Sequence, residues 1–422
     1  MNGFFNPKNV VIIGASAKEG KIGYEILKNI LKSKVKVYPV NPNRKEIMGI
    51  KCYKSIGEIE ESIDIAIIAI DAPLVINAIE ECGRKGIKRV VIISGGFKEV
   101  GNKELEKKLV EKAKKYGIRI IGPNCIGVFN GKNRFNTFFQ RNMDLPPFGN
   151  VSILTQSGTF GIGLLEKFAN EGIGISKFVS YGNKSDINEV DLIKYLEEDG
   201  DTKIIAIYAE DFDKKFFEKE YKKIIVILKA GRSEIGKKAA SLHTGAMATN
   251  YEIFKGVCKQ RKIIFADDFD EFFGILKILS MQGLPKNGNI AIITNGAGPA
   301  VLACDFIEGR KYLKLWDVPI DLTGSATGED FINAISSLND NIGIVILIFV
   351  FQDAPLATSL NQFYENFKKD DRIYVAVAIG GKFVMKQKKE FIKLKIPLFE
   401  EPSTLINALD KIVWFKNENS SN

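Results

Sequence analysis

The chain has 422 residues, 45% of them hydrophobic and 26% charged. At roughly 150 residues per domain, that length points to about three domains with enough apolar residues to bury sizeable cores. The balance excludes wholesale disorder, a collagen-like repeat and a disulfide-stapled miniprotein. Five cysteines (Cys52, Cys82, Cys125, Cys258 and Cys304) are scattered, odd in number and without Cys-x-x-Cys spacing, which points to a reducing, cytoplasmic setting. The longest uninterrupted apolar run, residues 344–351, falls far short of the roughly 20 residues of a spanning helix, so no membrane association is expected. Residues 1–7 carry no basic region followed by an apolar core, so no secretory signal is expected either. The 60 basic and 51 acidic residues leave a net charge of +9. They alternate, as in Lys103-Glu104 and Glu106-Lys107, and read as solvated helix faces rather than a nucleic-acid footprint. An anionic small ligand fits the same balance.

In chain order, the first run of apolar β-formers is 10–13, which ends in Gly14-Ala15-Ser16 and leads into a helical stretch. Strand-like runs follow at 35–40, 63–69, 89–93 and 119–121, with amphipathic helical segments at 73–85 and 103–116. This alternation predicts a doubly wound sheet over residues 1–140. Residues 141–150, with Pro146, Pro147 and Gly149, read as a linker. A second run, 151–155, ends in Gln156-Ser157-Gly158 and opens a unit over 150–284, with strands near 177–179, 204–208 and 224–228. After a Gly- and Pro-containing boundary at 282–288, the run 290–294 and Asn295-Gly296-Ala297-Gly298 repeat the design over 288–416, with central strands at 343–351 and 373–379. Largely apolar runs suit strands covered on both faces. The expected fold class is α/β, built as three consecutive Rossmann-like or flavodoxin-like parallel-sheet domains, with a frayed polar tail at 417–422.

The turn from Gly14 to Gly23 also contains Lys18, Gly20 and Lys21. Such a turn directs backbone N–H groups and a helix N-terminus at a phosphate, and it equally fits a plain βα connection. Its spacing is not Gly-x-Gly-x-x-Gly, and the next strand runs into Asn41-Pro42 rather than an acid that would grip a ribose 2′-hydroxyl. Both departures argue against a nicotinamide dinucleotide and for another phosphorylated ligand. Ser94-Gly95-Gly96 lies at the carboxyl end of a later strand, where ligands of such sheets collect, or is a simple connection. Gln156-Ser157-Gly158-Thr159 closes a strand and should start a helix at Thr159 or Phe160, offering amides to an anion or serving only as an N-cap.

His243 is the single histidine, in a Gly-, Ala- and Ser-rich stretch, 229–246, that reads as a mobile loop and not a packed helix. A large fraction of imidazole is neutral near pH 7 and able to accept a phosphoryl group, although a lone loop histidine is also commonly incidental. Glu210 follows the strand at 204–208 and can face the same edge, either fixing the imidazole tautomer or standing as a solvated loop acid. One histidine and scattered cysteines form no recognisable ligand set, so no metal site is expected.

Taken together, the motifs resemble the α subunit, or α half, of ADP-forming acyl-CoA synthetases, the acetate–CoA ligase (ADP-forming) group related to succinyl-CoA synthetase. The resemblance runs from about residue 6 to residue 409. It rests on Gly14-Ala15-Ser16, Val40-Asn41-Pro42, Gly122-Pro123-Asn124-Cys125-Ile126-Gly127, Gln156-Ser157-Gly158, Gly182-Asn183-Lys184-Ser185-Asp186, Tyr208-Ala209-Glu210, His243-Thr244-Gly245 and Thr294-Asn295-Gly296-Ala297-Gly298-Pro299.

The resemblance implies that the first domain binds CoA. Its phosphates would lie near Gly14, Ala15, Ser16, Lys18, Gly20, Gly23, Asn41 and Pro42, and its chain would pass Ser94 and Gly95 toward Asn124 and Cys125. His243 would be the transiently phosphorylated histidine, Glu210 the acid that orients it, and Gln156, Ser157, Gly158 and Thr159 part of its phosphate cradle. The implied reaction is acyl-CoA + ADP + phosphate ⇌ carboxylic acid + CoA + ATP, through an acyl phosphate and a phosphohistidine. Because three α/β units account for the chain, the ADP/ATP and Mg site falls to a separate ATP-grasp β subunit in a hetero-oligomer. Leu242 stands where the family usually has Ser, 244–249 departs from the usual continuation, and 309–316 looks shortened before Val318-Pro319-Ile320-Asp321-Leu322. A non-catalytic CoA-binding regulatory protein and, on the first unit alone, a nicotinamide-binding oxidoreductase are the competing readings.

Overall fold

Runs of Val and Ile with no polar face need cover on both sides, and in the computed structural model they become the centres of parallel sheets. The structure describes residues 1–244 and 250–420, with the side chains of 241–244 and 420 outside that description. The chain divides into two compact units, Met1–Val257 and Cys258–Asn422.

The first unit opens with β1 (Asn9–Ile13), α1 (Ile22–Ile30) and β2 (Lys36–Val40), then a small hairpin of β3 (Glu46–Ile47) and β4 (Ile50–Lys51). It continues through β5 (Ile65–Ile68), α2 (Ala72–Arg84), β6 (Arg89–Ile92), α3 (Lys103–Tyr116) and β7 (Arg119–Ile121). The five long strands are all parallel, in the order β2-β1-β5-β6-β7. Ala66 and Ile68 of β5 and Val90 and Ile92 of β6 share one core with Val75 and Ile79 of α2 and Leu109 and Ala113 of α3. After β1 the chain goes to one side for β2 and to the other for β5. The carboxyl end of β1 is therefore a switch point, where a crevice opens in such sheets.

The second sheet repeats this arrangement. It contains β8 (Gly127–Asn130), β9 (Phe148–Thr155), β10 (Ile175–Ser180), β11 (Ile204–Ala209) and β12 (Ile224–Lys229). Helices α4 (Gly158–Asn170) and α5 (Glu189–Glu198) follow β9 and β10. Within the first unit the strand path is β12-β11-β9-β10-β8, and its switch point is the carboxyl end of β9. β8, which the sequence reading did not include, pairs antiparallel with β10. β9 starts at Phe148, inside the segment read as a linker.

The stretch read as a mobile loop instead contains a helix, α6 (Glu234–Thr244). Gly231 turns the chain at φ 82°, and the Ser233 hydroxyl accepts the Gly236 N–H at 3.0 Å. Gly and Ser are thus concentrated where a helix begins, and Lys237, Lys238, Ala239 and Ala240 continue it as good helix formers. α7 (Tyr251–Gln260) follows.

The second unit carries β13 (Ile264–Ala266), α8 (Phe269–Met281), β14 (Asn289–Thr294), α9 (Ala297–Ile307), β15 (Lys314–Leu315), β16 (Ile320–Asp321) and α10 (Gly328–Ser336). It ends with β17 (Ile344–Ile348), α11 (Ala354–Asn366), β18 (Ile373–Val377), α12 (Lys382–Lys393), β19 (Leu398–Phe399) and α13 (Pro402–Ser420). Its parallel sheet runs β15-β14-β17-β18-β19, with β16 also on β14. One face is filled by Phe331, Phe349, Phe363 and Phe391, with the Phe331 and Phe349 rings stacked at 4.5 Å. Among the described residues no helix is long and apolar enough to cross a membrane.

The start of α5 depends on one side chain. Asn188 Oδ1 accepts the N–H groups of Val190 and Asp191 at 3.0 and 3.2 Å, and its Nδ2 donates to Asp213 at 3.0 Å. Asn188→Ala should cost about 1–2 kcal/mol of stability. Urea unfolding monitored by circular dichroism measures this, and an unchanged midpoint would contradict the capping role.

Candidate functional site

Gly14 has φ 92°, and a Cβ there would lie 2.3 Å from the Ala69 carbonyl oxygen. A Cβ on Gly23 would lie 1.9 Å from the Gly14 oxygen. The two glycines therefore let β1, the end of β5 and the first turn of α1 approach backbone to backbone, as a phosphate-cradling turn requires. The Asn41 side chain donates to the Ala15 oxygen at 2.8 Å, tying the end of β2 to the same turn. Ser16 Oγ accepts the Lys18 N–H at 3.1 Å, Gly20 has φ 81° and Lys18 is exposed. Pro42 is exposed beside Asn41. The turn, Asn41 and Pro42 thus sit at the crevice of the first sheet.

Ser94 spends its hydroxyl on backbone, donating to the Ile70 oxygen at 2.5 Å and accepting the Ile70 N–H at 3.1 Å. This locks the end of β6 to the end of β5 and presents Gly95. A Cβ on Gly95 would come within 3.3 Å of Asn124 Oδ1, so Ser94 and Gly95 adjoin the Asn124 turn. Asn124 adopts φ 58°, and its N–H donates to the Ser94 oxygen at 2.9 Å. Cys125 is buried, and its thiol lies 3.2 Å from the Ile92 oxygen. Burial pushes the Cys125 thiol up to about 12, against a smaller opposing hydrogen bond from the Gly127 backbone.

At the second switch point, Ser157 caps α4, its Oγ accepting the Phe160 N–H at 3.3 Å, so the helix begins at Gly158, one residue before the expected start. The first turn of a helix leaves N–H groups without intrahelical partners and is favourable for an anion. Gln156 Oε1 accepts the N–H groups of Glu210 and Asp211 at 2.9 and 3.3 Å, while Nε2 donates to Asp211 Oδ1 at 2.7 Å. Glu210 is buried, and its backbone oxygen accepts from the Lys229 ammonium at 3.2 Å. Burial lowers Lys229 from the usual lysine range, with Asp211 and Glu210 pulling the other way. Tyr208 stacks on Phe160 at 3.9 Å, and burial followed by the charge of Glu210 raises its hydroxyl to about 12.

A single cavity of about 410 Å³ joins these two regions. Asn124 and Cys125 line one part of it and Gln156, Ser157, Gly158 and Thr159 another, with Ile93, Ile126 and Ile162 as apolar wall. Its size suits a small-molecule site. The turn from Gly14 to Gly23, Asn41, Pro42, Ser94 and Gly95 lies outside that lining, and Glu210 is joined to it through Gln156. His243 belongs to the last turn of α6, and its side chain lies outside the described residues. Among the described residues no three His, Cys, Asp or Glu side chains gather as metal ligands. The cavity also brings in Gly182 and Asn183, to which the sequence reading gave no role.

Residues 8–131 match the family described as CoA binding domain, and residues 148–279 match the succinyl-CoA ligase like flavodoxin domain. The chain is 36% identical to the acetate–CoA ligase [ADP-forming] II subunit alpha of Pyrococcus furiosus, over 97% of this chain and 96% of that one. It is 44% identical to the acetate–CoA ligase [ADP-forming] of Methanocaldococcus jannaschii over 76% of this chain, a match that spans about half (49%) of that longer protein. Among solved structures it resembles the dinucleotide forming acetyl-coenzyme A synthetase 1 of Ca. Korarchaeum cryptofilum in complex with phosphate and ADP. That likeness has a TM-score of 0.87 and 30% identity, over 99% of this chain and 97% of the other.

The surroundings of Cys125 make a chemical prediction. Burial raises the thiol far above its ordinary range, so at pH 8 the nucleophilic thiolate is almost absent. Iodoacetamide at pH 8 should leave Cys125 unmodified in the native protein and modify it after unfolding in urea. Peptide mass spectrometry distinguishes the two, and rapid native labelling at Cys125 would overturn the assignment of an inert, packed thiol.

Proposed function

The chain belongs to the ADP-forming acetate–CoA ligase α-subunit family, and on that footing we propose that it is the α subunit of an ADP-forming acetyl-CoA synthetase, an acid–thiol ligase. It interconverts acyl-CoA, ADP and phosphate with carboxylic acid, CoA and ATP. Three working parts are assigned: a CoA-binding domain over 1–140, a succinyl-CoA-synthetase-like domain with the phosphohistidine over 150–284, and a flavodoxin-like domain over 288–416.

CoA is held through its phosphates at the crevice formed by Gly14, Ala15, Ser16, Lys18, Gly20, Gly23, Asn41 and Pro42. Its thiol end passes Ser94 and Gly95 to reach Asn124 and Cys125. A phosphate held at Gln156, Ser157, Gly158 and Thr159 attacks the thioester carbonyl; the C–S bond breaks, CoA leaves and an acyl phosphate remains. The neutral His243 imidazole then takes the phosphoryl group and releases the carboxylate, with Glu210 orienting the ring. The group finally passes to ADP, which is bound with Mg on a separate ATP-grasp β subunit in a cytoplasmic hetero-oligomer. Neither a nucleic acid nor a membrane takes part.

One observation carries this reading: the Asn124-Cys125 turn and the start of α4 open into the same cavity, so a thioester at one and a phosphate at the other are within reach of each other. Burial of Cys125 supports a wall rather than a nucleophile, which leaves the attack to phosphate.

The test uses the complex of this chain with its β subunit, incubated with radiolabelled phosphate and acetyl-CoA. The wild type should take up an acid-labile, base-stable label on His243, and His243→Ala should take up none. ATP formation by H243A should fall by roughly 10³-fold or more while CoA binding by the chain, measured calorimetrically, stays within about twofold. Label retained by H243A would falsify the phosphohistidine route.

A further inference from the structure

The loop between β10 and α5 contains Gly182, Asn183, Lys184 and Ser185, and the proposed function leaves it without a task. Its backbone is fastened to the Asn124 turn: the Asn183 N–H donates to the Pro123 oxygen at 2.9 Å and the Ser185 N–H to the Gly122 oxygen at 3.2 Å. Gly182 has φ 50°, and a Cβ there would lie 2.2 Å from the Asn124 oxygen. The next two side chains then part: Asn183 lines the cavity, and Lys184 reaches the Asp211 turn.

Asn183 is buried. Its Nδ2 donates to Glu99 Oε2 at 2.6 Å and to Glu106 Oε2 at 2.9 Å. A primary amide has two N–H donors, so two carboxylates fix which end of the carboxamide is nitrogen. Oδ1 is left facing Asn124, whose Nδ2 lies 3.4 Å away. Glu99 Oε1 meanwhile accepts the Gly96 and Phe97 N–H groups at 2.5 and 3.1 Å. Burial works to raise the Glu99 carboxyl, but these hydrogen bonds outweigh it and hold the group below the usual range. Lys98 Nζ lies 3.3 Å from Glu106 and donates to the Asn183 backbone oxygen at 2.6 Å, and the Ser185 hydroxyl donates to Glu106. The polarity of the network is set at the acids and handed through Asn183 to Asn124.

Lys184 works on the other side. Its ammonium lies 3.0 Å from Asp211 Oδ2, donates to the Asp211 backbone oxygen at 3.1 Å and lies 3.4 Å from Glu189. Asp211 in turn accepts from Gln156 at 2.7 Å.

We propose that Asn183 and Lys184 are positioning residues, Asn183 orienting the Asn124 carboxamide on the thioester side and Lys184 holding Gln156, through Asp211, on the phosphate side. The role rests on the cavity being where thioester meets phosphate. Neither residue touches the reacting atoms; one loop sets the register of two binding surfaces.

The test is steady-state kinetics of the complex with the β subunit, varying acetyl-CoA and phosphate separately. Asn183→Asp puts a third carboxylate beside Glu99 and Glu106, where Lys98 is paired with Glu106 and Lys103 and Lys107 line the adjoining groove, and it donates a hydrogen bond only when protonated. Its like-charged neighbours raise its pKa, so the defect should ease as pH falls. KM for acetyl-CoA should rise about tenfold relative to wild type at pH 8 and less than about threefold at pH 6, with KM for phosphate unchanged. Lys184→Met should raise KM for phosphate about tenfold and leave KM for acetyl-CoA within about twofold. If N183D does not fold, Glu99→Gln takes its place: an amide now faces Asn183 Nδ2, and KM for acetyl-CoA should rise with no recovery at pH 6. Variants that move the same constant, or an N183D defect indifferent to pH, overturn the positioning role. Wild-type complex without turnover overturns the function and this role together, whereas turnover without the split overturns this role alone.

Discussion

The site depends on what the Gln156 carboxamide does at the end of β9. Its oxygen takes two backbone N–H groups from the turn after β11, and its nitrogen takes a carboxylate from the same turn. All four hydrogen-bonding positions of a buried amide are hard to fill, and one that fills three of them holds its two strands in a single relative position. The start of α4 and the Glu210 turn are therefore one rigid piece, with the first turn of the helix held beside the acid. Without this contact the two loops would be separate connections at the edge of a sheet.

The same local solution occurs again in the second unit, which suggests a constraint of the strand-to-helix turn itself. Thr155 Oγ1 donates to the Ser157 oxygen at 2.7 Å, and Thr294 Oγ1 donates to the Gly296 oxygen at 2.8 Å. Where Gln156 reaches Asp211, Asn295 reaches Asp353 at 3.0 Å and accepts the Val350 N–H at 2.8 Å. A parallel strand that ends at a switch point has to satisfy its neighbour's first turn, and a carboxamide offers both a donor and an acceptor for it.

Much of the architecture was legible because its signal is local. The apolar runs that became β1, β9 and β14 were visible as such, and the glycines after them marked the turns. The α3 span was readable to the residue from its amphipathic pattern. β8 was not, since four residues, Gly127-Val128-Phe129-Asn130, carry no period, and their pairing with β10 is a tertiary choice. α6 was missed because Gly and Ser were weighed by number and not by position. The candidate site divided the same way: the glycine-marked turns after β1 and β9 could be read as turns, but Glu99 and Asn183 are separated by 84 residues, and no spacing rule connects an exposed-looking turn acid to a distant loop amide.

The strand β8 has a consequence for how this architecture can be taken apart. It leaves the Asn124-Cys125 turn and crosses to seal the border of the second sheet, so the two halves of the first unit share a seam of main-chain hydrogen bonds. A fragment ending near residue 140 would carry the sealing strand away and leave β10 with an open row of N–H and C=O groups, an invitation to self-association. The half that carries the first sheet is therefore a poor module for transplantation on its own, and any fusion or split of this architecture keeps its integrity best when the breakpoint falls after the second sheet is complete.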